Sequence, residues 1–399
     1  MPSSLKLENI GCLVTKGDDG VKYSQNTSLL IEQDRIISIG SGTGDKVIDC
    51  KGKMVTPGFI DSHTHPIFYD LRSKEHQLRL LGATYEEIAE SGGGIVSSVK
   101  SVREATEKQL YSKSLPRIDR FLSLGTTTIE AKSGYGLDTQ SELKSLKIID
   151  SINKKHKIDI IPTFMGAHAF PKNFSNNKEA YVKLLIEEMI PAVEKQGIAK
   201  FIDVFCEEGY FTIDQSKRII ESGISHGLKP RIHADEFNNF GASVLAGELG
   251  CFSADHLMKV DEKGIQSLKN NGVVATLLPG TTFFLNKNSY APARKLLESG
   301  LEVALATDFN PGSCHIQSMP FIMTLSMMKM SMTIEEAFLG ATLHGAKALG
   351  LEEEIGSIEI GKKADLIIWG LSNLVEIPYY AIEHPIQNVI KNGEIVFGA

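Results

Sequence analysis

Two histidines two positions apart, His63 and His65, end the run Pro57-Gly58-Phe59-Ile60-Asp61-Ser62-His63-Thr64-His65. In an extended strand, residues i and i+2 project to one face, so both imidazoles can address one metal ion just past the strand's carboxyl end. With eleven histidines in the chain, such a pair means little unless further ligands converge with it. Three other segments supply them: Ile232-His233-Ala234-Asp235-Glu236, Asp255-His256 and Thr307-Asp308-Phe309-Asn310. Burying these groups together is costly unless they are paired or bound to metal. His63, His65, His233 and Asp308 offer three nitrogens and one oxygen, a set that suits one Zn²⁺ or Fe²⁺ with a position open to water. Water held by such an ion yields hydroxide near neutral pH. His256 can orient that water, accept its proton, or support a ligand from behind. Asp308 can hold the metal and relay a proton to a leaving nitrogen.

These residues must be positioned by strands. Short β-rich runs alternate with amphipathic stretches from Phe59 to about Gly350. The strand candidates are Phe59–His65, Thr126–Ser133, Ile160–His168, Phe201–Glu207, Pro230–Asp235, Phe252–His256, Val273–Leu278 and Val303–Phe309. Between them, Lys178–Gln196 carries an apolar helical stripe through Tyr181, Leu184, Leu185, Met189 and Ile190. A further helix starts at Ile213 with Asp214 as N-cap, and another, Ala293–Glu298, ends with Gly300 as C-cap. Eight strand–helix alternations predict an α/β fold, a (β/α)₈ barrel over residues 57–350. Active sites of such barrels lie at the strand carboxyl ends, where the candidate ligands fall.

The flanks read differently. Residues 5–56 are β-rich, with a hairpin around Gln33-Asp34, and Gly356–Trp369 and Val389–Val396 continue in that style. Neither flank alone has enough strands for a core, so residues 1–56 and 351–399 are expected to form one small composite β-sandwich. A net charge of −7 argues against a nucleic-acid or anionic-membrane surface. No apolar stretch is long enough to span a bilayer, and the opening residues lack the apolar core of a signal peptide. The five scattered cysteines, Cys12, Cys50, Cys206, Cys251 and Cys314, read as reduced thiols of a cytoplasmic protein.

Several longer motifs carry a resemblance. Besides Pro57–His65, these are Gly82–Ile88, Ser91–Ile95 with its Gly92-Gly93-Gly94, Glu130–Leu137, Gly166–Pro171, His233–Phe237, Ser253–Leu257, Leu277–Leu285 and Ala306–Ser313. Along essentially its whole length the chain resembles the imidazolonepropionases of the amidohydrolase superfamily. The resemblance implies hydrolysis of the cyclic amide of 4-imidazolone-5-propanoate to N-formimidoyl-L-glutamate in histidine degradation, and a homodimer. It implies metal ligation by His63, His65, His233 and Asp308. Substrate contacts are implied for Arg72, Tyr85, Tyr135, His168 and Glu236, with Asn310, Gly312 and Ser313 on the product side.

Chemistry agrees with these roles. Arg72 can grip a propionate tail with a two-pronged contact. Tyr135, between Gly134 and Gly136, sits where the backbone can bring a phenol close to a ligand. Glu236 can hydrogen-bond a ring N–H, and His168 can donate to the ring carbonyl or its developing oxyanion. Gly92–Gly94 lacks a phosphate-loop spacing and more plausibly gives a loop over the site its hinge freedom. Strand four has no lysine to bridge a second metal, Lys132 ends strand two, and only Glu207 or Cys206 could substitute, so one ion is expected. Two other classes fit the same residues less well. A deaminase of cytosine- or guanine-like rings would have no use for Arg72, and a non-catalytic scaffold would not need the full ligand set.

Overall fold

The computed structural model describes residues 4–18, 20–83, 87, 93–383 and 385–398. Tyr85, Gly92 and most of the expected helical stretch 82–88 lie outside the described residues.

The N-terminal flank forms β1 (Ser4–Gly17), β2 (Gly20–Glu32), β3 (Arg35–Ile39), β4 (Lys46–Asp49) and β5 (Met54–Pro57). The β2–β3 hairpin turns at Gln33, whose φ of 55° is left-handed. Eight strands follow: β6 (Phe59–Asp61), β7 (Thr126–Lys132), β8 (Asp159–Ala167), β9 (Phe201–Cys206), β10 (Lys229–Ala234), β11 (Ser253–His256), β12 (Val274–Leu277) and β13 (Val303–Leu305). The tail adds β14 (Leu366–Trp369), β15 (Ile386–Lys391) and β16 (Glu394–Phe397). Each of the eight barrel strands expected from sequence is present, with ends shifted by a few residues.

Strands β6 to β13 pair in chain order, all parallel. Helices cover them, so nearly every strand residue is buried and the sequence runs apolar instead of alternating. The barrel closes beyond the ends of β6 and β13. Thr64 and Phe309 form a parallel bridge there. His65 N–H donates to the Phe309 carbonyl at 2.8 Å, and Asp308 N–H to the His63 carbonyl at 3.1 Å. The Asp61 carboxylate accepts from Thr307 N–H at 3.0 Å and Oγ1 at 2.6 Å, which fixes the same seam.

Both chain ends build one second sheet, in the order β16-β15-β14-β5-β1-β2-β3 with β4 beside β1. Pairing of β14 with β5 zips the tail onto the N-terminal flank. Leu7, Ile10, Leu29, Ile36, Leu366 and Ile390 form its own apolar core. It docks on the barrel through Trp369, whose ring meets Phe59 edge-on at 5.9 Å while its Nε1–H donates to Thr56 at 2.9 Å. Gly125 makes the contact close: with φ +85°, a Cβ there would lie 2.7 Å from Ile367 Cδ1.

The helical expectations need three corrections. Residues 178–196 are helical throughout, but Leu185–Met189 is a π-helical turn between α-helical segments Lys178–Leu184 and Ile190–Gln196. Pro191, which has no N–H for the Glu187 carbonyl, follows that turn. The helix Ile213–Ser225 is capped by Thr212, in a reciprocal box with Gln215, and not by Asp214. Asp214 lies in the first turn, where it pairs with Arg218 at 3.0 Å. Helix Ala293–Glu298 is capped by Ser299, and Gly300 takes the left-handed position after it, at φ +83°.

Candidate active site

The barrel seam gathers the expected ligands. His63 and His65 follow β6, His233 sits in β10, His256 ends β11 and Asp308 follows β13. The Nε2 atoms of His63 and His65 are 3.3 Å apart, and Asp308 Oδ1 lies 3.6 and 3.5 Å from them. The His233 ring is 4.6 Å from His63 and 5.1 Å from His256, centroid to centroid. Ligand atoms of His63, His65 and Asp308, and likewise of His63, His233 and His256, lie within 4.8 Å of one another. Asp308 and His256 adopt left-handed φ values of 53° and 78°, a region that non-glycine residues enter uncommonly.

Two of the rings, those of His63 and His233, are held from behind. Asp255 Oδ2 lies 2.7 Å from His63 Nδ1, and Asp203 Oδ1 lies 3.0 Å from His233 Nδ1. These contacts place the protons on Nδ1 and leave the Nε2 lone pairs facing the centre. Arg231, wholly buried, donates to Asp255 at 3.1 Å and to the Ser62 carbonyl at 2.7 Å. Lys132, also wholly buried, reaches Asp203 at 2.7 Å and Glu130 at 2.8 Å. Glu130 in turn accepts the N–H of Thr64, between the paired histidines, at 3.1 Å. Burial opposes the charge on Asp255, but Arg231 and Lys132 outweigh it and hold its pKa below the usual range.

The donor set fits a cation. Burial, then Lys132 and the neighbouring imidazoles, keeps His63 neutral; burial and His168 do the same for His65. Neutral imidazole lone pairs and a carboxylate oxygen then face one another at short range, an arrangement that a cation resolves. His63, Asp203 and Asp255 form a further close group, yet Lys132 and Arg231 already neutralise its carboxylates. Glu207, the possible bridging group on strand four, accepts the Phe237 N–H at 2.8 Å and serves the loop after β10. Cys206 is buried, and burial raises its thiol pKa to about 12.

A cavity of about 600 Å³ opens from this centre. His65, His233, His256 and Asp308 line it together with Arg72, Tyr135, His168, Glu236, Asn310, Gly312 and Ser313. His168 stacks on His65 with centroids 5.1 Å apart, and its Nδ1 lies 2.9 Å from the Gly134 carbonyl. Burial lowers its pKa to about 3, so the ring is neutral, Nδ1 carries the proton and Nε2 presents a lone pair. That polarity opposes the donor role expected from sequence. Tyr135 is buried in a loop pinned by Glu142, which accepts N–H bonds from Gly134, Gly136 and Leu137 at 2.9, 2.7 and 2.9 Å. Burial raises the Tyr135 pKa, so its phenol stays protonated.

Glu236 lies 3.6 Å from His256 Nε2, and burial with the nearby Asp308 raises its pKa to about 8. Asp235 positions it by accepting four N–H groups at the start of helix Ala242–Glu248. Burial raises Asp308 to about 6, moderated by the 2.5 Å hydrogen bond from Thr281. Arg72 donates from Nε to Glu75 at 2.8 Å, and a Cβ on Gly312 would fall 2.2 Å from its Nη1. The Asn310 amide accepts from Gly312 and Ser313 N–H and donates to the Asp308 carbonyl, and so orders that loop. Cys314 and His315 are packing groups: Cys314 lies against Gly280, and His315 meets Phe309 at 4.8 Å.

No sequence motif assigns a role to the supporting groups Asp203, Asp255, Glu130, Lys132 and Arg231. Their signal was charge inside strands that are otherwise buried and apolar, which requires partners.

A His/Asp centre at the carboxyl mouth of a parallel barrel defines a metal-dependent amidohydrolase, and residues 54–396 match the Amidohydrolase family. The fold is shared with a zinc-bound adenosine deaminase from Xanthomonas campestris (TM-score 0.76, 17% identity, covering 100% of this chain and 93% of that one). It is shared equally with 5-methylcytosine deaminase from Klebsiella pneumoniae (TM-score 0.76, 16% identity, 99% and 98% covered). Sequence similarity is more specific. Imidazolonepropionase of Alkaliphilus metalliredigens is 45% identical over 409 residues, covering 98% of this chain and 97% of the relative. That of Geobacillus kaustophilus is 46% identical over 383 residues, covering 93% and 90%. The chain belongs to the imidazolonepropionase family.

Proposed function

We infer that this chain hydrolyses 4-imidazolone-5-propanoate to N-formimidoyl-L-glutamate, a step of histidine degradation, with one divalent ion, Zn²⁺ or Fe²⁺, held by His63, His65, His233 and Asp308. The observation that carries the reading is a single cavity lined both by a cation-fitting donor set and by Arg72. That pairing suits a ring with an anionic tail, and a neutral purine or pyrimidine would leave the arginine unmatched.

The ion, when bound, lowers the pKa of water and polarises the ring carbonyl. The chain's own groups do the remaining work. Arg72 holds the propionate and Tyr135 packs beside the ring. His168, with its bare Nε2, accepts a ring N–H. Glu236, protonated at neutral pH, donates to the opposite edge of the ring. His256 takes the proton of the attacking water, the carbonyl carbon gains that oxygen, and the ring C–N bond breaks. Asp308 relays that same proton from His256 to the departing nitrogen, so the proton lost by the water ends on the freed amine. Gly312 and Ser313 line the product side, ordered by Asn310.

The same reading assigns residues 57–350 to the catalytic domain, and 1–56 with 351–399 to the composite β-domain, in keeping with its separate core. It places the enzyme in the cytoplasm as a homodimer. No helix among the described residues is long and apolar enough to cross a membrane. Leu80, Phe283, Met328 and Ile382 are exposed around an open groove that a second copy can cover.

The test follows freshly generated 4-imidazolone-5-propanoate and identifies the product by mass spectrometry. The parent should form N-formimidoyl-L-glutamate and His233→Ala should not. No turnover by folded, metal-loaded parent, or ammonia release from cytosine or guanine instead, overturns the assignment.

A further inference from the structure

Beside Arg72 the cavity holds a second guanidinium, that of Arg79. Arg72 and Arg79 lie seven residues apart at the two ends of helix Ser73–Leu80, close to two turns, and so on one side of it. Both line the cavity. Both also converge on Gly312: Arg72 packs where that residue's Cβ would be, and Arg79 Nη2 donates to its carbonyl at 2.5 Å.

Among the described residues, positive charge is in excess there. Glu75 accepts from Arg72 Nε at 2.8 Å and spends its other oxygen on the Gly94 N–H at 3.1 Å. Among the described residues, no carboxylate forms an ion pair with Arg79, and its buried Nε has no hydrogen-bond partner. Burial, and then the adjacent Arg72, bears against the Arg79 charge. Among the described residues two guanidiniums share one carboxylate, and such a site is satisfied by one more anion. The neighbouring Asn310 amide cannot provide recognition, since Gly312, Ser313 and Asp308 already engage it.

We propose that Arg79 is a specificity-determining residue: with Arg72 it forms a two-arginine clamp that admits planar heterocycles bearing a short carboxylate chain and disfavours uncharged ones. Glu75 aims Arg72, and Arg79 supplies the charge left over. This inference rests on the hydrolase reading above and deepens it.

Arg79 can be tested apart from that reading. Binding of 3-(imidazol-4-yl)propanoate and of its methyl ester is measured by calorimetry on metal-loaded parent, Arg79→Gln and Arg79→Lys. Turnover of 4-imidazolone-5-propanoate is measured on the same samples. Arg79→Gln should weaken the acid about tenfold or more, the worth of a charge-assisted contact. The ester should bind Gln variant and parent alike, KM should rise with kcat nearly kept, and Arg79→Lys should recover part of the loss. Equal weakening of acid and ester means that Arg79 only buttresses Gly312, and overturns the proposal. So does an unchanged acid affinity, or a parent that does not bind the acid. A parent that binds the acid through Arg79 but fails to hydrolyse the imidazolone leaves the clamp intact and sinks the assigned reaction.

Discussion

The backbone N–H of Asp308 donates to the carbonyl of His63 at 3.1 Å, so the bond that closes the barrel also sets two proposed metal ligands side by side. Those residues come from the first and last barrel strands. Barrel closure and the proposed centre thus share this seam, and loosening it should loosen a bound metal.

Thr307→Val tests that coupling. It removes the hydroxyl that donates to Asp61 at 2.6 Å and accepts the Phe309 N–H at 3.1 Å, and it strands a buried carboxylate oxygen. Urea unfolding should show a loss of about 1–3 kcal/mol. Metal should also leave to a chelator faster than from the parent. Loss of stability with unchanged metal release would separate the two roles.

Asp203→Asn should weaken metal affinity by roughly 10–100-fold, since the carboxylate fixes the orientation and tautomer of the His233 ring. Chelator competition gives the affinity directly. Lys132→Met leaves Asp203 and Glu130 buried without their cation, so a stability loss of about 3–5 kcal/mol is expected. An affinity for metal equal to the parent's in Asp203→Asn would mean that His233 needs no such support.

Gly312→Ala should raise KM at least about tenfold with little change in melting temperature. Its new methyl would fall 2.2 Å from Arg72 Nη1, and a flexible guanidinium is easily displaced. Unchanged KM would remove Arg72 from substrate binding.

At the other side of the barrel, Lys391 bridges Asp365 and Asp159 at 2.7 Å each. Burial pulls its pKa down, but the two carboxylates outweigh this and raise it above 10.5. A raised lysine stabilises the fold fully below its unfolded pKa, and the contribution is lost as pH climbs through the higher folded value. The stability gap between the parent and Lys391→Met should thus be constant near pH 8 and narrow above about pH 10.5. Thermal melts across pH 8–12 check this, and a gap that widens with alkali would reverse the sign.

Much of this molecule was legible in its sequence because buried parallel strands announce themselves. Runs such as Val274–Leu277 are buried on both faces and mostly apolar, and the polar residues that follow such strands point to a barrel's catalytic mouth. His63, His65, His233 and Asp308 were readable for that reason. The groups behind them were not, because their pairings cross the chain: His63 meets Asp255, 192 residues away. The charges themselves were visible, Glu130 and Lys132 two apart in one strand, Arg231 two before His233 in another. Such pairs share a face, and the demand for partners in a buried strand marks them as a network. The direction of His168 was equally hidden, since only the Gly134 carbonyl fixes its tautomer. Local signals were sometimes present but outweighed: Thr212 and Gln215 spell a capping box, which takes precedence over the single Asp214.

The central claim is one cation in a seam built from His63, His65, His233 and Asp308, without which the ring is not opened. Metal-stripped protein would be titrated with Zn²⁺ and, anaerobically, with Fe²⁺ while the loss of 4-imidazolone-5-propanoate is followed. Activity should rise from zero and level off at one ion per chain, with no such rise in His65→Ala. Full turnover by metal-free protein, or a plateau reached only at two ions, would contradict the account.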